Sequence, residues 1–288
     1  MTQKLKDEKI NGFDQTGQRV FEIDGKFKVV TTPLESFTNP FFGRRKDEAL
    51  HMLVKFTEPK FALNVADSLS LATPEFYRKM KSWDGRVDDQ EATIETKIPR
   101  WVTINDTPVW CTSSSESYNA GWLCCVSNLQ NNADGDRLRN YFFERGLWSF
   151  TILRTDPARF ALQLGIDFGR LCLEKEGICG KPQDTAEDIA DHGKLLSIVY
   201  GSVLYVQDRA EFLRKCPSEY RGMLSHFVKG VEFEIQREYR FLILGWGEPQ
   251  CPQILLPISN ELRNLFGLTG NNITPGGQLL PFSQNRST

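Results

Sequence analysis

The chain has 288 residues, of which 40% are apolar and 25% are charged, and its formal net charge at pH 7 is −2. This length allows one large or two small domains with an ample core, and the charge balance excludes a global basic field that would hold nucleic acid. The sequence has no apolar signal region at its start and no run of 18 apolar residues, so we expect a cytoplasmic protein without membrane spans.

The N-terminal part of the chain predicts a hairpin followed by a linker. Polar and apolar residues alternate between Arg19 and Thr32 around Gly25, which is typical of a β-hairpin. Residues 33–48 carry prolines and the basic run Arg44 to Lys46, and we interpret them as a connecting loop. We therefore predict three parts: a hairpin and linker extension at 1–48, a domain at 49–262, and a flexible tail rich in Asn, Gly, Pro and Ser at 263–288.

Short apolar runs and helical segments follow each other in mixed order within the predicted domain. Strands are predicted at 51–57, 68–72, 148–153, 195–206 (a pair around Gly201) and 241–244. Helices are predicted after Glu58, Thr73 and Asp156, the last of them ending near Gly165, and over most of 209–228. This order favours an α+β fold with a mixed, largely antiparallel sheet core and flanking helices.

The sequence lacks the motifs of several common enzyme classes. It contains no GxGxxG, GxxxxGK[ST], HExxH or GxSxG pattern. Its seven cysteines include no CxxC pair, which indicates reduced thiols rather than a zinc site or a disulfide framework. Asp88, Asp89 and Glu91 are interpreted as a solvated loop, so no metal site is predicted.

Three segments combine polar residues with apolar neighbours. Lys55 lies inside the apolar run 53–57, and Gln236 and Glu238 stand at the entrance of the apolar run 241–244. Between them lies a cluster of an aromatic residue and hydroxyl residues: Trp110, Thr112, Ser113, Ser114 and Ser115. In this order the segments resemble the ADP-ribosyltransferase fold of the Arg-Ser-Glu type. A structural alternative is that Glu238 pairs with Arg237 or Arg240 on a solvated edge.

The resemblance implies a role for each of these residues. NAD would bind as a substrate in a cleft between two small sheets, with its phosphate or ribose held by Lys55, where the family has Arg or His, or by Arg78 instead. The cluster of Trp110, Thr112, Ser113, Ser114 and Ser115 would shape the nicotinamide pocket. Glu238 would stabilise the oxocarbenium character of the ribose in the transition state, and Gln236 would position the acceptor. Glu238 and Gln236 are thus the expected catalytic residues.

A second resemblance covers residues 50–245. The segment containing Tyr77 and Arg78, the acidic loop from Asp88 to Glu91, and the strand that begins with Arg237 and Glu238 look like those of a large bacterial domain family of unknown function. This resemblance implies a common fold and assigns no chemistry. Both resemblances meet at Glu238.

The function that the first resemblance implies is NAD-dependent transfer of ADP-ribose to a macromolecular target, protein or nucleic acid. A bacterial toxin or phage-defence effector is a hypothesis for its biological role. Such an effector implies an antitoxin or other regulatory partner. Two alternatives remain open at this stage. One is a non-catalytic binding module on the same fold, which Lys55 in place of Arg or His favours. The other is a nucleic-acid-binding protein that uses the basic run Arg44 to Lys46.

Overall fold

The computed structural model describes residues 18–42, 52–62, 66–79, 93–104, 107–118, 121–129, 132–147, 149–179, 194–245, 247 and 249–271. The predicted α+β class is confirmed, because these residues form a mixed, largely antiparallel sheet with helices on both faces. None of the described helices is long and apolar enough to span a membrane.

Fourteen strands lie within this part of the chain. In chain order they are β1 Arg19–Ile23, β2 Phe27–Pro33, β3 Met52–Thr57, β4 Ser68–Ala72, β5 Thr93–Ile104, β6 Thr107–Tyr118, β7 Trp122–Leu129, β8 Ser149–Leu153, β9 Lys194–Ser202, β10 Leu204–Val206, β11 Val228–Gly230, β12 Glu238–Gly245, β13 Gln253–Pro257 and β14 Phe266–Asn271. The hairpin predicted at the N-terminus is β1 and β2, and the strand predicted at 68–72 is β4.

Seven α-helices connect or cover these strands. They are α1 Glu35–Phe42, α2 Pro74–Lys79, α3 Asn132–Phe143, α4 Pro157–Glu174, α5 Arg209–Lys215, α6 Ser218–Leu224 and α7 Asn260–Arg263. The predicted start of α4 is confirmed, since the Asp156 carboxylate caps it by accepting a hydrogen bond of 2.7 Å from the Ala158 N–H. The segment after Glu58 forms only a 3-10 turn at Pro59–Phe61.

Ten of the strands form one sheet, in which β1, β2, β9, β12, β7, β3, β8 and β14 lie side by side. The β2–β9 ladder is parallel and the other ladders of this sheet are antiparallel. One edge of β7 serves two partners, because β3 pairs with residues 127–129 and β4 pairs with Leu123. The sheet therefore forks at β7 into a β3–β8–β14 arm and a β4–β13 arm.

The two faces of β12 contribute to different clusters of buried side chains. Tyr239, Phe241 and Ile243 belong to the cluster that includes α4, and the rings of Phe160 and Phe241 are 4.7 Å apart. Leu242 packs on the opposite face, in a cluster with α5 and α6. Because strand side chains alternate, Glu238 lies on the same face as Leu242. The apolar residues of β12 thus fix the face on which its carboxylate appears.

Two glycines that were interpreted as breaks are positions of close packing. The prediction that α4 ends near Gly165 is wrong, because a Cβ atom there would lie 2.6 Å from Val29 Cγ1, so glycine allows the helix to approach β2. Two strands do cover most of 195–206, but the prediction that they pair around Gly201 is wrong. β9 continues through Gly201, which contacts Leu34, and β10 pairs with β11 in a separate two-stranded sheet.

The segment after β2 also differs from its prediction. Residues 35–42, interpreted as part of a loop, form α1. The helix is held by buried Leu34 and by Phe37, whose ring lies 5.3 Å from that of Tyr220. The parallel pairing of β2 with β9 makes the N-terminal hairpin an edge of the main sheet, and β14 extends the opposite edge by pairing with β8.

The contact between Gly201 and Leu34 predicts a loss of stability when a methyl group is added. In Gly201→Ala the new Cβ would lie 2.4 Å from the Cβ of Leu34, which cannot rotate away. We expect the free energy of unfolding to fall by about 1–3 kcal/mol, measured by urea denaturation. Ser202→Ala, on the same strand, is the matched control. An unchanged Gly201→Ala protein would contradict this packing.

The buried carboxylate of Asp167 predicts a pH-dependent effect on stability. Burial raises the pKa of Asp167, and hydrogen bonds of 2.6 Å from Ser259 Oγ and 2.9 Å from Gln163 Nε2 oppose this rise. Because its pKa is raised in the folded state, protonated Asp167 contributes to the stability of the protein at low pH. This contribution is lost as the pH rises through the folded-state pKa. Asp167→Asn should therefore raise the melting temperature relative to wild type more at pH 7 than at pH 4. A difference in melting temperature between the variant and wild type that becomes smaller as the pH rises would contradict this prediction.

Candidate functional site

The fork in the sheet leaves part of β7 without a neighbouring strand on one edge. Cys125 lies between Leu123, which pairs with β4, and Ser127, which pairs with β3. Lys55, on β3, crosses this gap, and its Nζ donates a hydrogen bond of 2.7 Å to the carbonyl oxygen of Cys125. A lysine side chain thus satisfies a backbone acceptor that a strand would otherwise satisfy.

Two neighbouring cavities lie at this fork, and together they are called the cleft. The inner cavity has a volume of about 90 Å³ and the outer one about 250 Å³. Both are lined by Lys55, Phe56, Tyr77 and Leu147, so the Lys55 side chain borders both of them. Together they reach the lower end of the size range of small-molecule sites, about 300–1,000 Å³.

The inner cavity is lined by a carboxylate between two buried cations. Lys229 Nζ lies 2.7 Å from Glu238 Oε1, and Arg240 Nε lies 2.7 Å from Glu238 Oε2. The Lys229 and Arg240 side chains are only 3% and 2% exposed, while that of Glu238 is 11% exposed. Burying these cations without a carboxylate would be costly, so Glu238 is needed here for stability as well as for any chemistry.

The backbone before β12 places Gln236 and Glu238 on the same cavity. Residues 231–236 form a 3-10 segment, and Arg237 then adopts a left-handed conformation with φ = 44°. This turn directs Gln236 and Glu238 to the inner cavity, while Arg237 forms an ion pair of 3.4 Å with Asp134. Ser127 Oγ donates a hydrogen bond of 2.9 Å to the Gln236 carbonyl oxygen and ties this turn to β7.

Tyrosine hydroxyl groups surround the same two residues. Tyr205 Oη accepts a hydrogen bond of 2.8 Å from the Glu238 N–H, and Tyr141 Oη accepts one of 3.1 Å from Gln236 Nε2. Burial raises the pKa of Tyr77 and of Tyr205 well above the usual range. These two hydroxyl groups therefore stay protonated at neutral pH, and they add no negative charge to the cleft.

Three of the residues singled out from sequence meet in this cleft. Lys55, Gln236 and Glu238 line the inner cavity together. Arg78 lies half-buried on α2 and is not among the described side chains that line either cavity, whereas its neighbour Tyr77 lines both.

The hydroxyl cluster has a different place in the fold. Trp110, Thr112, Ser113, Ser114 and Ser115 belong to β6, which pairs with β5 in a separate two-stranded sheet. Their side chains lie outside the part of the chain that the structure describes, as do the acidic loop 88–91 and the basic run 44–46. The roles assigned to these residues stay predictions.

Sequence reasoning missed the residues that hold Glu238 in place. Lys229 was not singled out. It directly follows the apolar residues Phe227 and Val228, which are buried, and a lysine in such a position is a signal for a buried cation with a partner. Pairing of Glu238 with Arg240 was considered only on a solvated edge. The pair exists, but Arg240 is buried and its Nη1 also donates a hydrogen bond to the His226 carbonyl oxygen.

The burial of the Lys229–Glu238 pair predicts a large effect of removing its cation. Lys229→Met keeps most of the side-chain volume and removes the charge, so we expect the free energy of unfolding to fall by about 3 kcal/mol or more. Lys215→Met is a matched control, because Lys215 and Glu211 are also 2.7 Å apart but are 67% and 48% exposed. We expect about 0.5 kcal/mol or less there. Equal losses in urea denaturation would refute a special role for the buried pair.

Comparison with known proteins adds no relative to this picture. No protein-family model matches the chain. No curated protein and no solved structure is significantly similar to it. The resemblance to ADP-ribosyltransferases therefore stays a prediction from the sequence.

Proposed function

We propose that the cleft binds NAD and that the protein transfers ADP-ribose from NAD to a macromolecular acceptor. The observation that supports this most is that Lys55, Gln236 and Glu238 line one cavity, although about 180 residues separate Lys55 from the other two. In this proposal Lys55 binds phosphate, Glu238 acts on the ribose and Gln236 positions the acceptor.

The charge of the cleft favours an anionic ligand. Lys55, Lys229 and Arg240 line the inner cavity together with one carboxylate, that of Glu238, which gives these four side chains a formal charge of +2. Among the described residues, Lys55 donates to the Cys125 carbonyl oxygen and forms no ion pair with a carboxylate. An ammonium group has three donors, so two are left for the phosphate oxygens of a ligand in the cleft.

The walls of the cleft favour a ligand with flat aromatic groups. Phe56 and Tyr77 line both cavities, Phe142 lines the inner one, and Phe61 and Phe76 line the outer one. The rings of Phe56 and Phe142 are stacked 4.7 Å apart. Aromatic side chains provide flat apolar surface for stacking, and a nicotinamide ring and an adenine ring both fit this chemistry.

Glu238 suits the proposed transition state because the adjacent cations favour its ionised form. When the bond between ribose C1′ and nicotinamide breaks, the bonding electrons leave with nicotinamide and positive charge develops on the ribose. A carboxylate stabilises this oxocarbenium-like state more than it stabilises NAD. The acceptor nucleophile then bonds to C1′ and releases its proton, which completes the transfer.

A non-catalytic nucleotide-binding module is the second candidate. It is favoured by one observation: both oxygens of Glu238 already accept hydrogen bonds from buried cations. A carboxylate held in this way serves to neutralise the buried cations. Its negative charge is then less effective in stabilising positive charge on a ribose. In that case NAD would bind at Lys55 without losing nicotinamide.

Two substitutions separate these candidates. Glu238→Gln keeps the size of the side chain and removes its charge, so nicotinamide release and transfer of labelled ADP-ribose should fall by about 10²–10³-fold. Its Kd for NAD should change little. Lys55→Met should instead weaken NAD binding by about tenfold or more, because it removes a phosphate contact. Lys215→Met is the control for both, because Lys215 is exposed and is not among the residues that line the two cavities.

The assay uses the full chain with labelled NAD and a bacterial lysate, with and without nuclease, and calorimetry measures NAD binding. Melting temperatures identify any variant whose activity falls only through unfolding. Equal transfer by wild type and Glu238→Gln would remove Glu238 from catalysis. NAD binding by the wild type with no release of nicotinamide would support the binding module. Absence of NAD binding by the folded wild type would reject both candidates.

A further inference from the structure

Two thiol groups lie in contact at the C-terminal end of α4, a helix that covers the sheet. Cys172 belongs to α4, and Cys179 follows the turn after this helix. Gly177 adopts φ = 80° in that turn, a conformation that glycine reaches without strain. The chain therefore reverses, and the Sγ atoms of Cys172 and Cys179 lie 3.8 Å apart.

The segment that carries Cys179 is held against the start of the β13 arm. Ile178 is buried, and its carbonyl oxygen accepts a hydrogen bond of 3.0 Å from the Gln250 N–H. Cys179 itself forms an isolated antiparallel β-bridge with Pro249. These contacts fix the Cys179 backbone against residues 249–250, so the segment that brings its thiol to Cys172 is held by the tertiary structure.

The two thiols differ from the buried cysteines of the chain. Cys172 and Cys179 are half-buried, whereas Cys124 and Cys216 are buried. The hydrogen bond with Cys172 lowers the pKa of the Cys179 thiol, against the effect of its burial, while burial raises the pKa of Cys124 and Cys216. Because the thiolate is the nucleophile, we expect Cys179 to react faster than the buried thiols of Cys124 and Cys216.

We propose that Cys172 and Cys179 form a redox site, in which a hydroperoxide oxidises the pair to a disulfide. The Cys179 thiolate attacks the terminal peroxide oxygen, the O–O bond breaks, and the products are a Cys179 sulfenic acid and water or an alcohol. Cys172 then attacks Cys179 Sγ, the S–S bond forms, and hydroxide leaves and takes up the thiol proton as water. Two thiols lose two electrons in total, and the peroxide gains them.

The geometry allows this second step with a small movement. A disulfide requires an S–S distance of about 2.05 Å, so the two sulfur atoms must approach each other by roughly 1.8 Å. Cys172 lies in the last turn of α4 and Cys179 follows a glycine-containing turn, so both lie where the chain can adjust more easily than in the sheet. Burial, and then the nearby Cys179 thiol, raise the pKa of the Cys251 thiol, so Cys251 is the alternative partner that the test must exclude.

Peptide mapping after peroxide treatment tests this proposal directly. Trypsin cleaves after Arg170 and Lys175, so Cys172 and Cys179 fall in separate peptides, 171–175 and 176–194. The folded full chain is treated with hydrogen peroxide, alkylated and digested without reduction. We expect one linked pair of these two peptides and the loss of two free thiols per chain, at least tenfold faster than the oxidation of Cys216.

Single variants assign the roles of the two sulfur atoms. Cys179→Ser should abolish the disulfide and the fast reaction, while Cys172→Ser should leave a sulfenic acid at Cys179 that a cyclic 1,3-dione captures. Cys216→Ser and Cys251→Ser should both keep the disulfide between 172 and 179, and circular dichroism checks that each variant is folded. A link from Cys179 to Cys251, or oxidation of Cys179 no faster than that of Cys216, would overturn the proposal.

Discussion

The candidate site depends on the contact of one carboxylate with two buried cations. Lys229 comes from β11, and Glu238 and Arg240 come from β12, so the cluster joins the small β10–β11 sheet to the centre of the large one. Each charge is tolerable inside the protein only because the others are present. This mutual dependence explains how the three charged side chains are accommodated inside the protein. It also fixes the positions of the charges that line the inner cavity.

The cleft itself results from a limitation of strand pairing. A strand has two edges, and the outer edge of β7 is divided between β3 and β4. Because these two strands diverge, the backbone at Cys125 is left to a side chain, and Lys55 provides it. The divergence of β3 and β4 therefore creates the cleft and also places a positive charge in it. A ligand phosphate would then interact with a lysine whose position the backbone already fixes.

The two faces of the sheet carry different chemistry. One face holds the polar cleft with its aromatic walls, and the other is closed by α4, where Gly165 allows the helix to approach β2 closely. The Cys172–Cys179 pair lies at the end of this helix and close to the segment that leads into β13. Gln253 and Leu255 of β13 line the outer cavity, so the segment that pairs with Cys179 leads into a strand that borders the cleft.

Local sequence pattern determined much of this protein. Alternation around Gly25 specified the β1–β2 hairpin, the Asp156-Pro157 pair specified the start of α4, and the apolar run from Phe241 specified β12. These features depend on neighbours in the chain, so the sequence contains them directly. The mixed order of strands and helices was also sufficient to place the fold in the α+β class.

Tertiary structure determined the contacts between segments that lie far apart in the sequence. Gly165 and Gly201 have the local signature of breaks, but they are glycines because Val29 and Leu34 approach them from other elements. The pairing of Glu238 with Lys229, the gap that Lys55 fills and the contact of Cys172 with Cys179 likewise depend on how the chain folds back on itself. These contacts are strong because the groups are buried. Burial depends on the folded structure and cannot be read from the order of residues in the sequence.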